Sequence, residues 1–527
     1  MSTATALYGE PKPHRFPTHC KILATLGPAS ESPEMLERMI RGGATMFRLN
    51  FSHGPLEDQK VRLDAVRSVA KKMNRAVAVL GDLQGPKMRV SKVPPIDNDK
   101  GIMLETGDEV VFRAGVEEAF KIDNDDHTAV FGSTFDALYT DVDPGQRVLV
   151  NDGAIRMLVI DQKPGEELRC RVTHGGLVTS AKGVNLPESI LSVPAITDKD
   201  WACVEWGVEH GVDVFALSFV RRADQIEELK ERLVDMCADI GGAAGDPLRR
   251  SIPVISKIEK PQALDNLDSI VEVSDGVMVA RGDLGVEMEV YHVPVAQKVI
   301  IETAAAYGKP VIVATQMLES MTQEPAPTRA EASDVANAVF DGADAVMLSG
   351  ETAVGKHPDL VVETMSRIIR AAEDRIDELP HTPAPPSKLP EYPYRSAALT
   401  TGAWHIAKSV NAKLVVVWSQ TGGTARYLSQ NDFRVPIVAF TSSEVACRRM
   451  AFLGGVNPVH SPPPADGTLA AWTDQVEQLI RDNDWADEGD AAVLIAGKPL
   501  GGTNARDILA ILRIGDISSG FRAGGDG

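Results

Sequence analysis

The sequence is short of the residues that mark several large functional classes. Cysteine occurs five times in 527 residues, at Cys20, Cys170, Cys203, Cys237 and Cys447, with no C-x-x-C pair. Thiols scattered in this way build neither a disulfide framework nor a zinc site, and they suit a reducing compartment. Aromatic residues are only 5% of the chain against 43% hydrophobic residues overall, so the cores should be aliphatic. Positive charge is in deficit, with a net charge of −20. That sign disfavours nucleic acid or an anionic membrane as the main partner, and an anionic substrate then needs a local basic cluster or metal ions. No run of about 18 apolar residues is present to span a membrane, and Met1–Cys20 lacks the apolar stretch of a secretory signal. There is no P-loop, no H-E-x-x-H, no kinase-type glycine-rich loop and no solenoid repeat. The expectation is a cytoplasmic enzyme of two to four domains.

What the chain does contain is alternation. Apolar, β-branched runs at Lys21–Leu26, Thr45–Ser52, Ala76–Gln84, Val212–Val220, Pro253–Glu259, Asp275–Leu284, Lys309–Met317 and Ala345–Glu351 are each followed by a helical pattern. The first helix has Ser32 as N-cap, Pro33 at its first position and Gly42-Gly43 as its stop. The eight runs fall in two pieces, 16–89 and 187–379, about 267 residues together. That is close to the ~250 of a (β/α)8 TIM barrel. A doubly wound open sheet also alternates, but no glycine-rich dinucleotide fingerprint follows the first strand. Residues 90–186 break the pattern with short strands and turns such as Pro144-Gly145 and Pro164-Gly165, which read as an inserted small β-barrel lid. Residues 1–15 form an N-terminal arm, and Pro380–Pro393, with six prolines in fourteen residues, is a linker. Residues 394–527 resume the alternation, with strands at Leu414–Ser419, Pro436–Thr441 and Ala491–Ala496, as a C-terminal α/β domain.

Barrel enzymes carry their chemistry at the C-terminal ends of the strands. Here those ends bring Arg48, Asn50, Ser52 and His53; Asp82, Lys87 and Arg89; Ser218; Lys257 and Glu259; Arg281, Gly282 and Asp283; Thr315; and Ser349 and Glu351. Lys257 and Glu259, two apart on one strand, share a face. Glu259 and Asp283 on adjacent strands make a hard-oxygen site suited to Mg²⁺ or Mn²⁺. A carboxylate-held metal beside lysine and arginine is what phosphoryl transfer needs, namely charge neutralisation and positioning. Salt bridges that merely close the barrel rim are the plainer reading.

These residues lie in long motifs: Thr25-Leu26-Gly27-Pro28-Ala29-Ser30, Arg48-Leu49-Asn50-Phe51-Ser52-His53-Gly54, Lys182-Gly183-Val184-Asn185-Leu186-Pro187, Ser256-Lys257-Ile258-Glu259, Met278 to Gly285, Ala314 to Met321 and Met347 to Thr352. On them the chain resembles the pyruvate kinases along its whole length. The resemblance implies transfer of phosphate from phosphoenolpyruvate to ADP, giving pyruvate and ATP. It implies that Glu259 and Asp283 hold Mg²⁺, and that Lys257 stabilises the transferring phosphoryl group with help from Arg48. Gly282, Asp283 and Thr315 would take the substrate carboxylate, and Thr315 and Ser349 would end a water relay that protonates enolpyruvate. Thr25, Pro28, Asn50, His53, Arg89 and Lys182 would meet the nucleotide, Lys182 only when the lid closes. A homotetramer is also implied.

Two features stand apart from the common pattern. Many members read Asp-Thr-Lys-Gly-Pro-Glu-Ile-Arg after strand three, and the Glu-bearing ones need K⁺, held by the equivalents of Asn50, Ser52 and Asp82. This chain reads Asp82-Leu83-Gln84-Gly85-Pro86-Lys87-Met88-Arg89. The Lys87 ammonium supplies the monovalent charge itself and repels K⁺, so K⁺ should not be required. The lid tip reads Asn151-Asp152-Gly153 in place of Asp-Asp-Gly. In the C-terminal domain, Ser419, Thr421, Gly422, Gly423 and Thr424 follow a buried strand and suit a phosphate nest for a phosphorylated effector. A plain strand-to-helix loop is the alternative. Two other functions compete: a Mg²⁺-dependent carbon–carbon lyase acting on pyruvate or phosphoenolpyruvate, and a non-catalytic sensor of the same ligands.

Overall fold

The computed structural model describes residues 15–97, 100–122, 125–239, 251–379, 385–388, 395–431, 433–498, 500–501 and 506–524. The expected arm before residue 15, most of the linker 380–393 and the last three residues lie outside them.

Eight parallel strands close a barrel: β1 (Lys21–Thr25), β2 (Ala44–Asn50), β3 (Ala78–Asp82), β4 (Val214–Leu217), β5 (Val254–Ile258), β6 (Gly276–Ala280), β7 (Val311–Ala314) and β8 (Ala345–Leu348). Each pairs with its neighbours in chain order and β8 returns to β1, so the expected TIM barrel is the observed fold. The side-chain period of two sorts the residues. Ile22 and Ala24 pack outward with the surrounding helices, whereas Leu23 points into the barrel with Met46, Leu80, Ile255, Met278, Ile312 and Met347. Helix boundaries follow local chemistry. Ser32 accepts from Met35 N to cap α1 (Pro33–Gly42), and Gly43 ends it at φ 120°. Thr197 and Thr328 form capping boxes with Asp200 and Glu331 on α2 (Asp198–His210) and α3 (Arg329–Phe340).

The strands are shorter than the apolar runs. The sixth run, extended to Leu284, is corrected most: β6 stops at Ala280 and Arg281–Glu287 is helical (α4). Gly282 and Asp283 therefore belong to a helix start and not to a strand end.

The insertion is the expected separate β unit: among its described residues seven strands form one sheet, and Ile102–Leu104 pairs with Gly176–Val178 in a second, two-stranded one. The insertion has its own core, with Phe112, Phe131, Leu138 and Tyr139 buried in it. It joins the barrel through two antiparallel crossings: Val90 N donates to Lys182 O at 2.9 Å and Val184 N to Met88 O at 2.9 Å.

The C-terminal sheet has five strands, β9 (Leu414–Trp418), β10 (Ile437–Thr441), β11 (Val456–His460), β12 (Ala491–Lys498) and β13 (Arg506–Arg513), in the order β11-β10-β9-β12-β13. Only β9, β10 and β12 are legible as buried runs. β11 carries Pro458, which an edge strand tolerates, and β13 is the antiparallel opposite edge. This domain plugs the N-terminal end of the barrel: Phe433, Met450, Phe452 and Val456 share one buried cluster with the barrel interior. Polar ties reinforce it. Lys21 Nζ donates to Val456 O at 2.9 Å, Arg448 Nε to Asp213 Oδ1 at 2.8 Å and Gln430 Nε2 to Asp344 Oδ1 at 2.9 Å. Among the described residues no helix is long and apolar enough to cross a membrane.

Candidate active site

At the opposite end of the barrel, β2, β3 and β5 deliver a connected row of charges. Arg48 Nε donates to Asp82 Oδ2 at 2.6 Å, Asp82 Oδ1 faces Lys257 Nζ at 3.2 Å, and Lys257 Nζ lies 2.8 Å from Glu259 Oε1. Lys257 is 11% exposed, Asp82 2% and Glu259 1%, so the row lies in a low-dielectric setting where each partner matters. Burial pulls the Lys257 ammonium down, but Asp82 and Glu259 outweigh it and hold it above its ordinary value. Burial raises the Asp82 carboxyl, yet Lys257 and Arg48 keep it below the usual carboxylate range. Glu259 ends differently. Burial raises it, Lys257 opposes, and the Asp283 charge raises it further, to about 7.

That last result tests the donor set for a metal. The buried Glu259 carboxylate is raised by burial and by the Asp283 charge, so added positive charge beside it would favour its ionised form. Carboxylate oxygens are hard donors, so a divalent cation of the Mg²⁺ class fits Glu259 and Asp283. Among the described residues no group of three or more His, Cys, Asp or Glu side chains is arranged to hold a metal. Further ligands at this pair would have to be water or substrate oxygens.

Residues that sequence reasoning noted without assigning a role build the support. Ser218 Oγ donates to Leu83 O at 2.6 Å and receives Lys257 Nζ at 2.7 Å. Phe219 adopts φ 55°, and its N–H donates to Glu259 Oε2 at 2.7 Å. A non-glycine residue there is strained and is tolerated where neighbours over-determine it. Gly85 permits this, since a Cβ on it would stand 2.7 Å from the Phe219 ring. Glu351, also without a role until now, is fully buried and accepts from Ser349 N at 2.6 Å and Leu318 N at 3.2 Å, clamping the loops after β7 and β8. No sequence signal separated these supports from ordinary rim residues, because their partners are distant in the chain.

Other expected site residues fall as follows. The Gly282 N–H is not free: it donates to Thr315 Oγ1 at 2.8 Å, so a substrate carboxylate would have to share or displace that bond. The Thr25 hydroxyl is likewise engaged, donating to Leu348 O at 2.8 Å and accepting from Arg48 Nη1 at 3.2 Å. It props Arg48 and does not reach out as a free hydroxyl. Ser349 Oγ is buried and has no hydrogen-bond partner among the described residues. Asn50 Nδ2 meets His53 Nδ1 at 3.1 Å, and Asn50 Oδ1 accepts from Ser52 N at 3.1 Å. Burial, then Lys87, Arg48 and Arg89, lower the His53 pKa, which favours the neutral ring. Lys87 is exposed, but its neighbours place it at the site. Partial desolvation, then Arg89 and Lys257, lower its pKa, while Asp283 and Asp82 raise it. Pro28 is exposed at the same rim.

The lid lies over α4. Asn185 Nδ2 donates to Glu287 Oε1 at 2.9 Å, and a Cβ on Gly153, at the lid tip, would be 3.6 Å from Val286. In the C-terminal domain, Ser419 Oγ accepts from Ala425 N at 3.2 Å, so this loop hydroxyl helps shape the turn. Gly422 opens the following helix at φ 86°.

Comparison with known proteins agrees with this geometry. Residues 18–362 match the pyruvate kinase barrel domain and residues 397–512 the pyruvate kinase alpha/beta domain. Pyruvate kinase 2 of Synechocystis is 39% identical over 502 residues, 94% of this chain and 79% of that protein. Pyruvate kinase of Staphylococcus aureus is 39% identical over 501 residues, 94% of this chain and 80% of that protein. The crystal structure of a pyruvate kinase from Cryptosporidium parvum superposes with a TM-score of 0.83 at 31% identity, covering 95% of this chain and 96% of that one. The chain is an enzyme that belongs to the pyruvate kinase family.

Proposed function

We propose that the chain transfers the phosphoryl group of phosphoenolpyruvate to ADP, with Mg²⁺ or Mn²⁺ on Glu259 and Asp283 and without a K⁺ requirement. The observation that carries this is the buried row Arg48–Asp82–Lys257–Glu259 with Asp283 at its end. When bound, the divalent ion supplies charge neutralisation for substrate oxygens. The chain's own part is positional and electrostatic. Lys257 is held between two carboxylates and Ser218, so its positive charge is fixed in place to stabilise a transferring phosphoryl group, which would share or displace one of these contacts. Arg48, braced by Asp82 and Thr25, adds a second fixed positive charge.

Thr315 Oγ1 accepts from Gly282 N, which leaves its own proton to donate toward a carboxylate or a relay water. Ser349 Oγ, buried with no partner among the described residues, suits the far end of that relay, since buried hydroxyls are normally paired. Asn50, His53, Arg89 and Lys182 form the nucleotide side together with Pro28 and the Thr25 prop. His53 serves there as a hydrogen-bonding contact to the nucleotide, since no step clearly needs it as a general base. The lid, hinged at Lys182, excludes water on closure.

Lys87, whose ammonium feels the charges of Asp82, Asp283 and Lys257, takes the place of the monovalent ion of the Asn50, Ser52 and Asp82 region. The loop Ser419, Thr421, Gly422, Gly423 and Thr424 receives the phosphate of an effector. The assembly is a cytoplasmic homotetramer. Its support is an apolar face on the segment before and along Val293–Ala306, where Val290, Tyr291, Val295 and Val299 are 72%, 68%, 60% and 45% exposed.

The deciding assay is ADP-dependent release of pyruvate from phosphoenolpyruvate in a tetramethylammonium buffer with Mg²⁺, with and without KCl. Full activity without K⁺ is expected. Release of pyruvate without ADP would mark phosphoryl transfer to water and reject the nucleotide as acceptor, and large activation by KCl would remove the Lys87 assignment alone.

A further inference from the structure

Arg281 is the first residue of α4, two before Asp283, yet no step above uses it. It is 12% exposed, and its guanidinium is spread over several partners. Nη2 donates to Thr315 O at 2.7 Å, Nε to Ala314 O at 3.4 Å, and Nη1 to Asp334 Oδ1 at 2.7 Å and Gln297 Oε1 at 3.4 Å. The next residue, Gly282, donates its N–H to Thr315 Oγ1 at 2.8 Å. The step Arg281-Gly282 thus grips Thr315 twice, by its carbonyl and by its hydroxyl.

Thr315 needs such a grip. It stands at φ 73° and is followed by Gln316 at φ 52°. A β-branched residue in the left-handed region is a true outlier, and such a conformation costs about 1–3 kcal/mol and persists only where surroundings enforce it. Released from it, the chain after β7 would relax toward an ordinary backbone and turn the Thr315 hydroxyl away from Gly282. The fit is also steric, because a Cβ on Gly282 would meet Thr315 Oγ1 at 3.3 Å. Asp334, on α3, is 39% exposed, so its pairing with Arg281 contributes little energy by itself. Its role is to fix the plane of the guanidinium so that the fork reaches both carbonyls. A lysine supplies the charge but not the planar fork.

We propose that Arg281, oriented by Asp334, is a positioning residue for Thr315: it holds the left-handed turn that presents the Thr315 hydroxyl to the carbon-protonation step. This rests on the proposed role of Thr315 in that step. The experiment isolates proton transfer by following exchange of the pyruvate methyl protons with D₂O by NMR, in full-length enzyme with Mg²⁺ and ATP. In this reaction a C3 proton leaves to give the enolate and a deuteron returns to the same carbon.

Arg281→Lys should slow exchange per folded molecule on the order of 10–100-fold, the scale of a misplaced reacting group. It should leave the ADP KM unchanged, and Arg281→Lys with Thr315→Val should be no slower than Thr315→Val alone. Asp334→Asn, which keeps the arginine, should show a smaller loss of the same kind and serves if Arg281→Lys does not fold. If Thr315→Val slows exchange while Arg281→Lys or Asp334→Asn exchanges at the wild-type rate, or if the Arg281 and Thr315 effects multiply, the positioning role is overturned. A variant that melts earlier but exchanges normally has the same meaning, since Arg281 is then structural only. If Thr315→Val itself exchanges normally, the reading of Thr315 fails first.

Discussion

Replacing Lys257 by methionine removes one cation from between Asp82 and Glu259 while nearly preserving side-chain volume. The ammonium lies 2.8 Å from Glu259, 3.2 Å from Asp82 and 2.7 Å from Ser218 Oγ. Two effects follow, of different size and readout. For stability, Asp82 keeps Arg48, but Glu259 loses its counter-charge at 1% exposure. Breaking a buried pair by deleting one partner costs roughly 3–5 kcal/mol. Part of that should be recovered by Mg²⁺, which supplies the missing positive charge. For turnover, losing one preorganised donor to developing charge costs about 10²–10³-fold in kcat. Rapid-mix assays well below the melting temperature, with thermal melts at increasing Mg²⁺, separate the two. Collapse of kcat with phosphoenolpyruvate and Mg²⁺ binding largely retained is expected, because the group acts on the transition state. A kcat within about tenfold of wild type would refute the argument, and so would a melting temperature that Mg²⁺ does not raise more in the variant than in wild type.

Four further outcomes follow from the same structure. Lys87→Glu should convert the enzyme to one activated by KCl, since it removes an ammonium whose charge couples to Asp82 and Asp283 and adds a carboxylate; unchanged salt response would reject the substitution of ammonium for K⁺. Asp213→Asn should weaken docking of the C-terminal domain, because Asp213 holds Arg67 at 2.7 Å and Arg448 at 2.8 Å; both arginines are partly exposed, so the cost read from urea unfolding should be about 2–3 kcal/mol. Glu373 is pushed up to about 7, by burial first, against the hydrogen bond from Cys20 N. Its folded value lies above the unfolded one near 4.5, so its ionisation costs stability as pH rises between them; Glu373→Gln should gain stability relative to wild type from pH 4.5 to 7 and level off above, measured by thermal melts. Gly422→Ala should cost about 1–2 kcal/mol for a left-handed alanine. Its Cβ would also press within 3.2 Å of Met450. A thermal-shift screen of phosphorylated metabolites should then show a weaker shift than wild type.

Much of this protein is legible without coordinates. The alternation of β-branched runs with capped helices specifies eight βα units, since a strand buried on both faces must be apolar throughout and a helix start needs its Ser32, Thr197 or Thr328. Strand ends then point to Arg48, Lys257, Glu259 and Asp283 because a barrel exposes its chemistry at one end. The sixth run misled, because an apolar run does not mark where β6 yields to helix at Arg281. β11 and β13 were missed because edge strands need no continuous apolar run.

What only the tertiary structure decided is which of those groups are already committed. The Thr25 hydroxyl and the Gly282 N–H look available in the sequence but are engaged by Leu348, Arg48 and Thr315. Ser218, Phe219 and Glu351 emerge as supports only when β3, β5 and the loops after β7 and β8 are brought together. The physical reason is range. Helix caps and hydrophobic periods are set by neighbours a few residues apart, whereas hydrogen-bond partners and burial depend on contacts across tens to hundreds of residues. The row from Arg48 to Glu259 shows both sides: its members can be read in the chain, but their order, spacing and opposing pKa shifts exist only in the closed barrel.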